Sequence, residues 1–160
     1  MKRLKWLLVM PVIVMLAGCP YKSDIALDKT GKKLNAAFLG KWEPKSNSNE
    51  SFRVYKENDF TYRIVKYTKS SKDSTIYNGY MVDLDGDSFF NLWDASPTGD
   101  KGYYIYKVVL STSGAKVTLS PVTENITEKF ATAEEMKAFF KKYKGLSFFY
   151  DKIDEVYIKE

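Results

Sequence analysis

Hydrophobic and polar positions alternate with a period of two over much of this chain, which is typical of β-strands. Phe60, Tyr62 and Ile64, for example, share one face of a run whose other face carries Thr61 and Arg63. Six such runs, rich in aromatic and β-branched residues, predict strands at 52–55, 60–67, 75–84, 88–93, 103–110 and 116–121. Short, turn-rich connections separate them, so successive strands are predicted to be antiparallel.

One segment has a helical period instead. Thr132 lies three residues before Glu135, which is the spacing of a capping box, and Gly145 predicts the helix end. Between them an apolar stripe follows the i, i+3, i+4, i+7 pattern, formed by Met136, Phe139, Phe140 and Tyr143. Two last strands are predicted at 146–150 and 156–158. We expect a mainly β protein, an antiparallel up-and-down β-barrel with one late α-helix, because closure removes exposed sheet edges.

The first 18 residues have the anatomy of a secretory signal. Lys2, Arg3 and Lys5 precede a short apolar run at 7–16, which is too short to span a membrane. Leu16-Ala17-Gly18-Cys19 then resembles the lipobox of bacterial lipoproteins, which implies cleavage before Cys19 and its lipidation. A non-lipidated signal with a chance cysteine is the alternative, although Cys19 is the only cysteine in the chain.

Composition shifts once after the signal. Residues 19–34 are polar, lysine-rich and without apolar periodicity, so we interpret them as a tether that need not fold, and residues 35–160 as one domain. The net charge falls from +5 to +2 because three cations and no acid leave with the signal. A net charge of +2 does not predict a basic surface for nucleic acid, so we expect no nucleic-acid partner. We expect a monomer without cofactor, attached to a membrane through its lipid.

The start of the domain carries a second resemblance. Gly40-Lys41-Trp42 resembles the Gly-x-Trp signature of the lipocalin superfamily. The resemblance implies a helical turn, a first strand, and a tryptophan at the base of an eight-stranded, calycin-type barrel. It also implies a Thr-Asp-Tyr element and a late arginine stacked on the tryptophan, but the only arginines are Arg3, Arg53 and Arg63, and no Thr-Asp-Tyr occurs.

Candidate chemistry is sparse. The chain has no histidine and its single thiol is the predicted lipid site, so the usual acid-base and nucleophilic groups are missing and we expect no enzymatic activity. Asp83, Asp85 and Asp87 offer oxygen ligands for calcium, but Ser88 stands where an EF-hand loop needs glycine. Asp85-Gly86 is better interpreted as a hairpin turn, and we expect no metal.

Aromatic residues make up 16% of the chain, enough either to fill a small barrel or to line a cavity. If a cavity exists, we expect a lining that includes Tyr62, Ile64, Tyr80, Tyr104 and Tyr106. The leading hypothesis is a lipid-anchored, non-enzymatic binding protein for a small apolar or amphipathic ligand. The alternatives are a protein-interaction module with a solid barrel, such as an inhibitor, an immunity-type protein or an accessory envelope subunit, and a purely structural envelope lipoprotein. Because Pro20 is not the aspartate typical of inner-membrane retention, the outer membrane of a diderm envelope is favoured.

Overall fold

The computed structural model describes residues 20–46, 49–70 and 73–160. Within these ranges the chain forms nine β-strands and one α-helix, with 3-10 helices at Ala36–Phe38 and Ser147–Phe149. The strands are β1 Lys22–Ser23, β2 Gly40–Pro44, β3 Glu50–Lys56, β4 Tyr62–Thr68, β5 Ser74–Leu84, β6 Asp87–Asp94, β7 Tyr103–Leu110, β8 Lys116–Pro121 and β9 Glu155–Lys159, and the helix is α1 Ala133–Tyr143.

Strands β2 to β9 close into an eight-stranded antiparallel barrel. Each strand pairs with its neighbour in the chain from β2 to β9, and β9 pairs with β2 to complete the circle. Strand β1 adds to the end of β7 that β8 leaves uncovered, where Lys22 opposes Tyr104. The up-and-down order follows from the short connections, which allow only antiparallel neighbours.

The six predicted barrel strands are confirmed, two of them with the predicted bounds. The second begins two residues later than expected, because the Asn58 side chain accepts hydrogen bonds from the backbone N–H groups of Phe60 and Thr61 and ends a turn there. The strand predicted at 146–150 is wrong. Its aromatic side chains resemble a strand, but residues Ser147–Phe149 form a 3-10 helix that buries Phe149 beneath α1.

The barrel has two hydrophobic cores, one on each side of its wall. The inner core fills the base of the barrel and contains Trp42, Tyr62, Ile64, Met81, Val108, Val117 and Tyr157. The outer core lies against the outer face of β5, β6 and β7 and contains Tyr21, Leu27, Val82, Leu84, Phe89, Ile105, Val122, Met136, Phe140 and Phe149. All these core residues lie between Tyr21 and Tyr157.

Helix α1 covers the outer core, as its stripe predicts. Thr132 Oγ1 accepts a hydrogen bond from the Glu135 N–H at 3.2 Å, and Glu135 Oε2 accepts one from the Ala131 N–H at 3.0 Å. Phe140 packs edge-on against Phe89 of β6, with 5.7 Å between ring centroids. The helix thus lies outside the barrel and leaves its interior free. No helix in the described ranges is long and apolar enough to cross a membrane.

Residues 20–34 pack on the barrel, where we expected a tether that need not fold. Leu27 has no exposed surface, and its backbone N–H donates to Asn91 Oδ1 on β6 at 2.8 Å. Tyr21 is also buried, and its N–H donates to the Val122 carbonyl at 2.7 Å. The few apolar residues of this irregular segment are spaced without a period, so the sequence carries no signal of their burial. The predicted signal 1–18 and Cys19 lie outside the described residues.

Candidate binding cavity

The interior of the barrel holds a cavity of about 490 Å³. It extends from Phe38 and Trp42 at one end of the barrel, here called the base, to Pro20, Lys22 and Asp100 at the other, the mouth. Lys22 and Asp100 form an ion pair at the rim of the mouth. Pockets that hold small molecules typically have roughly 300–1,000 Å³, so this volume suffices for a small ligand.

The base is closed around Trp42, whose exposed fraction is 2%. Its indole Nε1–H donates to the Phe38 carbonyl, 2.9 Å away, in the 3-10 helix. The Lys159 ammonium lies 5.5 Å from the indole centroid and donates to the Ala37 carbonyl at 2.8 Å. A lysine of β9 thus holds the position over the tryptophan for which the resemblance implies an arginine.

Gly40 allows the turn that brings β2 out of this base. Its φ of 124° lies in a region that side chains rarely adopt, and a Cβ there would lie 3.1 Å from Lys159 Cε. Gly40 and Trp42 are therefore structural residues that place the 3-10 helix under the barrel.

The lower wall of the cavity is apolar. The inward positions of four strands contribute Val54, Ile64, Val108 and Val117, while Phe52, Phe90 and Leu119 lie nearer the mouth, opposite Lys66, Tyr106 and Glu155. These side chains share one strand face because successive residues of a strand point to opposite sides. An apolar body of a ligand is therefore matched by the lower half of the cavity.

Polar groups enter the wall toward the mouth. Lys66 Nζ on β4 lies 2.7 Å from Glu50 Oε1 on β3. On β9, the Tyr157 hydroxyl donates to Glu155 Oε2 at 3.0 Å. Burial raises the pKa of the Glu155 carboxyl, while the hydrogen bond from Tyr157 opposes the rise. Burial also raises the pKa of the Tyr106 phenol on β7, so this residue is a neutral hydroxyl at physiological pH.

Three of the five predicted lining residues reach the cavity, namely Ile64, Tyr104 and Tyr106. Tyr62 lies below it, fully packed, with its hydroxyl accepting the Asn35 N–H at 2.8 Å. Tyr80 lies on the outer face of β5, where its hydroxyl donates to the Asp28 carbonyl and burial raises its pKa to about 12. The prediction for Tyr80 is wrong because β5 is buried on both faces and its alternation therefore gives no inward direction.

Glu50, Lys66, Glu155, Tyr157 and Tyr77 also line the cavity, and the sequence prediction did not include them. The alternation of inward and outward residues along a strand could have identified two of these residues. Glu50 shares the face of Phe52, and Glu155 shares that of Tyr157, so both carboxylates occupy inward positions of their strands.

The aspartates at 83–87 form a hairpin turn and ion pairs. Asp85 and Gly86 both have positive φ, 49° and 85°, as a tight type I′ turn requires, which confirms the predicted hairpin. Each acid has a lysine partner: Asp83 pairs with Lys32 at 2.5 Å, Asp85 with Lys141 at 3.1 Å, and Asp87 with Lys107 at 2.8 Å and with Lys144. Their carboxylates are thus neutralised by ammonium groups from separate parts of the chain.

The barrel is consistent with a lipocalin-like fold in strand number, strand order, basal tryptophan and outer helix. No protein-family model, no curated protein and no solved structure matches the chain. The closed antiparallel barrel with a ligand-sized cavity is what the structure establishes.

Proposed function

We propose that the protein is a lipid-anchored envelope protein whose barrel binds a small apolar or amphipathic molecule without transforming it. The observation that carries this proposal is the cavity of about 490 Å³, apolar at its base and polar near its mouth. The protein-interaction alternative assumed a barrel filled by side chains, whereas the interior of this barrel holds a cavity. The absence of histidine from the chain supports binding without turnover.

The position of the mouth supports the link to a membrane. Pro20, which follows the proposed lipid site in the sequence, lines the mouth and pairs with Thr123. Because residues 20–34 pack on the barrel, they add no spacer between the anchor and the body. A lipidated Cys19 would hold the mouth next to the bilayer, from which an apolar ligand can partition into the cavity.

Filling the cavity tests ligand binding. Leu119→Trp places a large ring inside the barrel, while Thr118→Trp makes the same addition on the outer face of β8. With residues 20–160 and decanol as a neutral probe, calorimetry should give saturable binding with Kd below about 1 mM, equivalent to about −4 kcal/mol. We expect Leu119→Trp to bind decanol at least tenfold more weakly than the parent protein, and Thr118→Trp to bind it with the affinity of the parent. Equal affinities, or no binding to the parent protein, would contradict the proposal.

Replacing Cys19 tests the anchor. The full chain with Cys19→Ser, expressed in a bacterial host, should move from the membrane fraction to the soluble fraction, because stable anchoring needs about two acyl chains. Intact Cys19→Ser protein that remains with the membranes would show that something other than a lipid on Cys19 holds it there. In a diderm host, fractionation of the parent protein should place it in the outer membrane.

A further inference from the structure

The polar part of the cavity has an uneven charge. Five charged residues line it: Lys22, Lys66, Glu50, Asp100 and Glu155. Lys22 pairs with Asp100 and Lys66 with Glu50, so both cations are engaged. Within the ranges that the structure describes, no lysine or arginine nitrogen lies within 4.0 Å of the Glu155 carboxylate. Glu155 therefore has no ion-pair partner of its own among the described residues, and Lys66, which is paired with Glu50, acts on it only at longer range.

Such a carboxylate is costly in an apolar cavity unless a cation joins it or a proton neutralises it. Its only hydrogen bond within the described residues comes from Tyr157, which leaves the other carboxylate oxygen available to a ligand. Burial raises the pKa of Glu155. The titratable groups that act on it come from several elements: Tyr157 of β9, Glu50 of β3, Lys66 of β4, Tyr106 of β7 and Asp151, which precedes β9.

Aromatic rings line the same cavity. Tyr77, Tyr104, Tyr106 and Tyr157 come from three strands, β5, β7 and β9, and Tyr106 and Tyr157 interact with Glu155. The faces of such rings attract cations, with about 0.5–2 kcal/mol for each contact, depending on desolvation. The Tyr106 hydroxyl has no hydrogen-bond partner among the described residues, so it is free to accept a hydrogen bond from an N–H group.

We infer that the ligand of the cavity carries a protonated amine on an apolar body, with Glu155 as its counter-ion. This inference rests on the proposed function and specifies the ligand class. The apolar body lies lower in the barrel, against Val54, Val108 and Val117, and the ammonium group lies nearer the mouth, beside Glu155 and the rings of Tyr106 and Tyr157. A fatty acid fits less well, since its carboxylate would meet Glu155 while Lys66 is held by Glu50.

Three probes of equal chain length separate the head group from the apolar body: decylamine, decanol and decanoate. Calorimetric titration of residues 20–160 at pH 7.5 should give at least tenfold tighter binding of decylamine than of decanol, and the weakest binding for decanoate. Glu155→Gln should reduce the preference for decylamine over decanol to below about threefold. Glu43→Gln is the matched control, since Glu43 lies on the outer face of β2 and pairs with Lys41.

The pH profile adds a readout that a loss of folding cannot imitate. As pH falls, protonation of Glu155 should reduce the preference for decylamine over decanol, starting above the ordinary glutamate value of 4.5. If decanol binds but decylamine is not preferred, or if Glu155→Gln keeps the preference, the inference is overturned and the proposed function stands. If none of the three probes binds, both are overturned.

Discussion

At the scale of single residues, Trp42 connects three parts of the base. Its ring lies under the inner core, its N–H reaches the 3-10 helix, and the Lys159 ammonium covers its face. Burial of an indole removes a large apolar area from water, and the lysine contact adds an electrostatic contribution. The residue therefore links the start of the barrel to its last strand.

We expect Trp42→Ala to lower the free energy of unfolding by about 3–5 kcal/mol, because it removes this buried ring and leaves a hole. Urea denaturation of residues 20–160 measures the loss. Trp93→Ala is the control, since Trp93 is only half-buried on the outer face of β6, where it packs against Tyr80 and Tyr103. A loss for Trp42→Ala no greater than for Trp93→Ala would contradict a basal role.

Glu155 gives a pH-dependent stability. Because burial raises its pKa in the folded state, the folded protein holds this proton more tightly than the unfolded chain. Its contribution to stability is therefore lost as pH rises from the ordinary glutamate value through the folded value. We expect Glu155→Gln to have a higher Tm than the parent protein at pH 8 and an equal Tm at pH 4.

Thermal unfolding of residues 20–160 across this pH range measures the difference in Tm. Glu43→Gln should show no such pH-dependent gain, since its side chain lies on the outer face of β2. A difference between Glu155→Gln and parent that stays constant from pH 4 to pH 8 would show that the carboxyl titrates normally.

At the scale of elements, the barrel wall is covered from outside by α1 and by residues 20–34. Strands β5, β6 and β7 are buried on both faces, because their outer residues form the outer core. The N-terminal segment contributes Tyr21 and Leu27 to that core and β1 to the sheet. It is therefore part of the fold and not a spacer.

Leu27→Ala tests this assignment. Truncation of a fully buried leucine to alanine costs about 2–5 kcal/mol, so the free energy of unfolding of residues 20–160 should fall by that amount. Lys29→Ala, two residues away and exposed, should change it by less than about 0.5 kcal/mol. If neither variant lowered the free energy of unfolding, the interpretation of this segment as a tether would be supported instead.

At the scale of the whole molecule, the first described residue, Pro20, lies at the mouth of the barrel, and we proposed that a lipid on the preceding residue turns this end toward a membrane. Pro20 lines the mouth, and Ile153, 79% exposed, lies two residues before the cavity residue Glu155. The β7–β8 turn, which contains Thr112, lies at the base. Lipidated protein on a bilayer should therefore bring Ile153, and not Thr112, to the membrane surface.

Single cysteines measure this orientation. Since Cys19 is the only native cysteine and is acylated in the lipidated protein, Ile153→Cys or Thr112→Cys provides the only free thiol. A polarity-sensitive dye on residue 153 should shift its emission to the blue when the lipidated protein is reconstituted into vesicles, whereas a dye on residue 112 should not. Equal emission from both positions would mean that the mouth does not face the bilayer.

Local chemistry let the sequence predict most of the elements. The period of two predicted the barrel strands, the capping box and the apolar stripe predicted α1, and Asp85-Gly86 predicted its hairpin. Each of these signals depends on residues within a few positions of one another, where backbone propensity, side-chain capping and turn geometry act. The barrel itself followed because an antiparallel meander has edges that closure removes.

Only the tertiary structure decided what lies inside. Tyr80 and Tyr106 look alike in sequence, yet one lies outside the wall and one lines the cavity, because a strand buried on both faces has no polar side to mark its direction. The same holds for Leu27, whose burial depends on β6, and for Glu155, whose surroundings come from distant strands. The volume of the cavity is the difference between the volume that eight strands enclose and the volume of the side chains inside. It is a property of the closed barrel, so no single segment of the sequence determines it.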